Sequence, residues 1–327
     1  VRTARRRRLL TLFGQRIVQI PLVLVVVSIL TFWLVQIVPG DPGRAALGQY
    51  ATAAQVHAWD ASHGLTGGLV LRYLHWIGGF VTGHWGESFV ESEPVRQLVL
   101  GRLGNSLLLG AYAFVIMVPL AIVLGALQAY RQGRRTDRTI TVGLLSISAV
   151  PEFVVGIVLL LVFAVWVPLV PVQAAGALDG GFGARLQVMT LPAVVLALAY
   201  LAVLARMVRA GTIETIRSQF HRTAVLKGLT NGQIVRRHVI RNALIPTFSV
   251  LGIYLGTLLG GSAIVETLFS YPGLGALLVQ AAERKDALLL ESGVMITGAM
   301  SLGALLLTDL LFIVVDPRIR FDGRTAT

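Results

Sequence analysis

The sequence predicts an all-α, polytopic membrane protein with six transmembrane helices, and three observations carry that prediction. Hydrophobic residues make up 55% of the 327-residue chain and charged residues 13%. An average soluble protein has about 25% charged residues, so there is too little polar surface here for a water-facing body. Six stretches are long and apolar enough to cross a bilayer, whose hydrocarbon core of about 30 Å takes about 20 helical residues. The basic residues alternate between dense and sparse loops in step with those stretches, as a topology signal does.

The six stretches run over residues 17–38, 105–130, 140–170, 187–210, 243–269 and 292–315. The first follows the basic run Arg5 to Arg8, as in a signal peptide. Its apolar length exceeds the about 7 to 15 residues of a signal h-region, and the small residues Ala51 and Ala53 lie well past its end. It reads as a membrane anchor. The third and fifth stretches exceed the spanning minimum, which predicts tilt or kinks. Pro21, Pro119, Pro151, Pro192 and Pro246 fall inside or at the edges of these runs and read as kinks, since neighbouring helices can re-satisfy a carbonyl that proline frees.

With six spans the loops fall on alternating sides, and this placement decides the meaning of the net charge of +12. Twenty-one of the 28 lysines and arginines lie on the N-terminal segment, residues 131–138, residues 206–241 and the C-terminal tail; seven lie on the other side. The skew predicts that both termini are cytoplasmic and makes the charge a topology signal, with no nucleic-acid partner. The absence of cysteine excludes a disulfide framework, a thiolate metal site and a cysteine nucleophile. His57, His63, His75, His84, His221 and His238 are scattered without metal-ligand spacing beside a carboxylate, so no metal site is predicted. The first four share one loop, which leaves metal contact open if the cargo were nickel. No Ser/His/Asp set or paired intramembrane carboxylates point to a membrane enzyme.

Two loops are too long for connectors. Residues 39–104 contain a moderately apolar segment, Leu65 to Val81, interrupted by Arg72 and His75, which fits an interfacial or re-entrant helix inside an extracytoplasmic cap. Residues 206–242 carry eight basic residues against the single acid Glu214, with helical periodicity through Ile213, Ile216, Phe220 and Ala224. Within them, Arg222 to Lys227 reads as a short helix stopped by Gly228, and Thr230 with Gln233 makes a capping-box pattern that starts a second helix. Small Ala224 and flexible Gly228 would admit a partner's groove, with the surrounding bases supplying charge complementarity. The alternative is an amphipathic helix lying on anionic lipid.

At this point the sequence resembles the permease subunits of ATP-binding-cassette importers, in the dipeptide/oligopeptide/nickel group, as a B-type peptide permease. The resemblance rests on Arg222-Thr223-Ala224 with Lys227-Gly228-Leu229-Thr230, followed by Arg241-Asn242-Ala243-Leu244-Ile245-Pro246, the group's version of the EAA loop. It departs from the general EAA consensus in having Arg222-Thr223 where Glu-Ala would stand. Pro39-Gly40-Asp41-Pro42, Gly86-Glu87-Ser88, Tyr271-Pro272-Gly273-Leu274-Gly275 and Asp316-Pro317-Arg318-Ile319-Arg320 match further signatures in the family's order. The cap deviates locally: Gly83-His84-Trp85-Gly86 stands where the family often has Gly-Asp-Leu-Gly, and His63-Gly64-Leu65-Thr66 where it has Leu-Gly-Leu-Asp.

The resemblance implies a type I importer permease fold, one transmembrane domain over residues 1–327 and a place in a bacterial cytoplasmic membrane. It implies a homologous second permease as heterodimer partner, two cytoplasmic ATPases docked at Arg222 to Thr230, and an extracytoplasmic binding protein delivering a peptide. Nickel or another small solute is the alternative cargo. The chain has no Gly-x-x-x-x-Gly-Lys-Ser/Thr loop, so it binds no cofactor of its own in this reading, and ATP with magnesium belongs to the ATPases. A secondary transporter would need inverted repeats and an ion-coupling carboxylate, toward which only Glu152 leans. A lipid-binding scaffold would need the basic loop without its helix-turn pattern.

Three further features stand out. Glu152 inside the third span is either a pathway or inter-subunit residue or a structural hydrogen-bonding group beside the Pro151 kink. Asp309 in the last span is expected to orient that helix. Gly252, Gly256 and Gly260 form a small-residue stripe for close helix packing, within the chain or against the second permease. Trp33, Trp166 and Tyr130 are expected as interfacial anchors.

Overall fold

The computed structural model describes residues 2–37, 42–48, 50–167, 169–170, 181–218, 226, 250–258, 260 and 263–315. Among the described residues, five helices are long and apolar enough to cross a membrane, or six if one sharply bent pair counts as a single span. Helix α1 (Arg2–Ile37) is the first span. Short helices α2 (Pro42–Leu47), α3 (Ala53–Ser62) and α4 (Leu69–Thr82) build the cap. Thr52 and Gln55 close a reciprocal capping box at the start of α3. The segment expected at Leu65 to Val81 begins its helix only at Leu69, because Gly64 and Gly67 adopt positive φ just before it. Helix α4 anchors through Trp76, which packs on Phe32 of α1.

The second span, α5 (Val95–Tyr130), and the fourth, α8 (Phe182–Arg217), are both continuous through their prolines and form the centre of the bundle. They pack along each other through Leu109, Ala113, Met117 and Ala121 of α5, spaced at one helical turn, against Leu196, Leu201, Leu204 and Ala205 of α8. A Cβ on Gly125 would lie 2.6 Å from the Ala205 carbonyl oxygen, so glycine sets the closeness of this crossing.

The third span differs from its expectation. Helices α6 (Arg135–Ala149) and α7 (Glu152–Leu160) meet at a 100° bend, a break rather than a kink. Val150, which precedes proline, is held extended at ψ 130, and Pro151 has no N–H with which to continue the ladder. Helix α7 continues as a π-helical turn, Leu161–Trp166. Residues 250–258 form α9 of the fifth span, followed by α10 (Ala263–Leu268), α11 (Leu274–Glu283) and the last span, α12 (Ala287–Val315). Trp33 and Trp166 are exposed on the surface, as anchors are, whereas the Tyr130 hydroxyl is turned into the protein.

Residues 219–225 and 227–249 lie outside the described residues, and with them Arg222, Thr223, Ala224, Lys227, Gly228, Leu229 and Thr230 of the expected coupling loop. The same holds for Pro39 to Asp41, Pro246 and Asp316 to Arg320.

Candidate functional site

Two of the sequence signatures lie at the cap end of the bundle, and each wraps a buried carboxylate. Glu266, at the centre of α10, is fully buried. Its carboxylate accepts from Ser106 Oγ of α5 at 2.6 Å and from the Ala276 amide at 3.0 Å, while Ser106 accepts from the Leu274 amide at 2.7 Å. The stretch Tyr271 to Gly275 is the strap around it. A Cβ on Gly273 or Gly275 would collide with the Glu266 carboxylate, which is why glycine stands at both positions. Tyr271, also fully buried, donates its hydroxyl to the Asn105 carbonyl at 2.9 Å, and Asn105 Nδ2 donates to the Pro272 carbonyl at 2.8 Å. Burial pushes the Tyr271 hydroxyl well above the usual tyrosine range, with the Glu266 carboxylate adding to the rise, so it stays a donor.

The second signature docks the cap on the last span. Gly86, at φ 77, turns the chain so that Val95 N–H reaches its carbonyl at 3.0 Å. Ser88 donates its hydroxyl to Asp286, which also accepts from the amides of Val90 at 3.3 Å and Leu289 at 3.3 Å, capping α12. Burial raises the Asp286 carboxyl above the ordinary aspartate range, opposed by the Ser88 and backbone hydrogen bonds.

At the opposite end the carboxylates meet arginines. Asp137 of α6 receives a two-point contact from Arg209 of α8, Nε to Oδ1 at 2.9 Å and a terminal nitrogen to Oδ2 at 2.9 Å, with the Gly133 amide at 3.0 Å. Arg16 of α1 pairs with Asp309 of α12, an ion pair between the first and last spans. A cavity of about 610 Å³ opens at this end beside Arg209, Glu214 and Arg217, just before the expected coupling loop.

Glu152 occupies the first turn of α7, directly after the break, half-buried and within electrostatic reach of the Tyr200 hydroxyl on α8. The positive end of a helix favours a carboxylate there. Tyr200 packs on Tyr254 of α9 with ring centroids 4.7 Å apart. The glycine stripe faces α12 of the same chain. A Cβ on Gly252 would meet Thr308 at 2.9 Å, one on Gly256 the Ser301 carbonyl at 3.0 Å, and one on Gly260 Ser301 Oγ at 2.8 Å. Ser301 also donates to the Gly256 carbonyl at 3.1 Å. His63, His75 and His84 line one cavity under the cap, but no metal-holding group of His, Asp or Glu occurs among the described residues. Sequence reasoning missed Glu266, Asp286 and Asp137; the glycine pair just after Glu266 was the available signal for the first.

The fold is that of a type I ABC importer permease. The inward-facing MetNI methionine ABC transporter superposes with a TM-score of 0.54, covering 69% of this chain and 99% of that one at 21% sequence identity, and supports the fold alone. Residues 118–321 match the family described as binding-protein-dependent transport system inner membrane component, and residues 9–110 match its N-terminal family, so the chain belongs to the permeases of binding-protein-dependent importers. It is 34% identical to the dipeptide transport system permease protein DppB of Escherichia coli, over 90% of this chain and 94% of that protein. It is 31% identical to the oligopeptide transport system permease protein AppB of Bacillus subtilis, over 91% and 96%. As a family member the chain is a multi-pass inner membrane component that works with a binding protein.

Proposed function

We propose that the chain is the B-type permease of a peptide importer, carrying dipeptides or oligopeptides inward along a pathway formed with a second, homologous permease. The carrying observation is its end-to-end similarity to relatives described as dipeptide and oligopeptide permeases. Residues 1–327 act as one permease domain, with both termini and residues 206–242 in the cytoplasm and residues 39–104 as the outer cap. Arg222 to Thr230 forms the coupling helix on which two ATPases dock. ATP and magnesium bind those ATPases, and this chain does no hydrolysis. Closure of the ATPase pair rocks the spans between two packed states. Glu152 stands on the pathway or at the boundary with the second permease.

The decisive experiment is uptake of labelled peptides of graded length, and of labelled nickel, in cells with and without this chain. Length-dependent peptide uptake that vanishes without it supports the reading; nickel uptake alone replaces the cargo. The tagged chain should bring down two ATPases and a second permease, whereas a lone, proton-driven, active protein overturns the assignment. Gly228→Glu is expected to uncouple ATP hydrolysis from uptake while the chain still inserts. Glu152→Ala should slow uptake, with recovery in Glu152→Gln if hydrogen bonding is its role.

A further inference from the structure

A cavity of about 650 Å³ lies under the cap, between α1, α4 and the first turns of α12. Glu291 on its wall is 2% exposed, and its Oε1 has no hydrogen-bond partner among the described residues; the Trp76 Nε1, on a side chain 7% exposed, has none either. Buried polar atoms are paired in the great majority of cases, so an orphan acceptor and an orphan donor on two residues of one wall are hydrogen-bonding capacity that the described residues leave unused. Arg72 lines the same cavity and makes no ion pair among the described residues. The remaining wall includes the aromatic rings of Phe32, Trp76 and Trp85. Phe32 and Trp76 are stacked at 6.1 Å between centroids.

The chemistry of these groups selects the ligand. A buried carboxyl group without a partner gains most from a cationic donor, which favours its charged form and pairs with it, and aromatic faces attract cations, so Glu291 beside Phe32 and Trp76 favours an ammonium group. The Arg72 guanidinium favours a carboxylate, which it can hold with two parallel N–H bonds. One cavity therefore offers both ends of a zwitterion, and its volume lies within the about 300 to 1,000 Å³ of small-molecule sites. We propose that this cavity binds a small zwitterion, an amino acid or dipeptide, with its ammonium at Glu291 and its carboxylate at Arg72. Only the choice of a dipeptide as probe rests on the function proposed above.

The test uses the full chain with its second permease in lipid nanodiscs, without the external binding protein. Binding of labelled L-alanyl-L-alanine is compared with its N-acetyl and carboxamide derivatives. The free dipeptide should bind saturably, and each derivative about tenfold or more weakly, as expected for loss of one charge pair. Glu291→Gln should bind the free and N-acetylated forms alike, and Arg72→Gln the free and amidated forms alike. Equal binding of all three compounds to the unaltered protein overturns the proposal. So does the absence of saturable binding, as for a cavity that holds water only, or retained discrimination in the variants. Dipeptide uptake by the whole importer separates the two readings. Normal uptake without cavity binding removes this site and leaves the proposed function; cavity binding without uptake does the reverse.

Discussion

At the end of the bundle that carries residues 131–134, buried and half-buried carboxylates meet guanidinium groups. At the other end, under the cap, they meet hydroxyls and backbone amides. Asp137 with Arg209 and Asp309 with Arg16 form the first set, and Glu266 with Ser106 and Asp286 with Ser88 form the second. The two arrangements respond differently to separation. Arg209, Arg16 and Asp309 are each about a third exposed, so these charges can rehydrate or take another partner when a pair opens, whereas Asp137 is buried and depends on its arginine. Glu266 and Asp286 are enclosed, and parting their cradles would strand a polar group in an apolar setting. The carboxylates of the arginine end are held as charges by cations that can reach water, and those of the cap end by neutral donors that cannot.

The sharpest way to break this contrast is Arg209→Ala, which leaves Asp137 buried without its cation and should cost about 3 kcal/mol or more. Denaturant unfolding in mixed micelles measures it, and the charge swap Asp137→Arg with Arg209→Asp should recover part of the loss. Gly273→Ala pushes a methyl group into the Glu266 carboxylate and should cost about 1 to 3 kcal/mol, read in the same way. Glu266→Gln keeps the shape and one acceptor oxygen, so its cost should be about 1 kcal/mol. A loss as large as that of Arg209→Ala would show that Glu266 is held as a charge, and the contrast between the ends would fall.

Two smaller effects refine the picture. Asp286 has a raised folded-state pKa, so the folded protein binds more protons than the unfolded chain between the ordinary aspartate value and the raised one. Stability therefore falls as pH rises through that window, and Asp286→Asn should flatten this slope in a melting-temperature series against pH. Arg284→Ala removes an ion pair with Glu91 in which both side chains are largely exposed, and should change stability by about 0.5 kcal/mol or less.

Much of the bundle was legible because a bilayer imposes long apolar runs: helices α1, α5, α8 and α12 overlap the runs that hydropathy picks out, although α5 begins at Val95, ten residues before its run. The break in the third span was only half legible. Pro151 announces an interruption, but whether a helix bends slightly or turns through 100° depends on what packs against both halves. The glycine stripe at Gly252, Gly256 and Gly260 showed close packing, yet spacing along one helix does not name the helix opposite, which is α12. Glu266 falls near the end of the fifth apolar run and Asp286 in a short polar loop; neither has its hydroxyl partner nearby in sequence, and the burial of each arises only when segments far apart in the chain converge. Asp137 looked like one more charge in a basic loop. The peptide-permease signatures at Gly86 to Ser88 and Tyr271 to Gly275 were read as marks of kinship, and the structure gives them a physical task.

That task bears on motion. The Glu266 carboxylate ties α5 to α10 and the start of α11, whose contacting residues lie 160 or more further along the chain than Ser106. Sliding any one past the others would bare a carboxylate to hydrocarbon, at a cost of several kcal/mol. These stretches therefore travel as one piece, and the knot beneath the cap acts as a fulcrum. A small displacement applied at the far end of α5 would then become a tilt about that point, as with a lever pinned at one end.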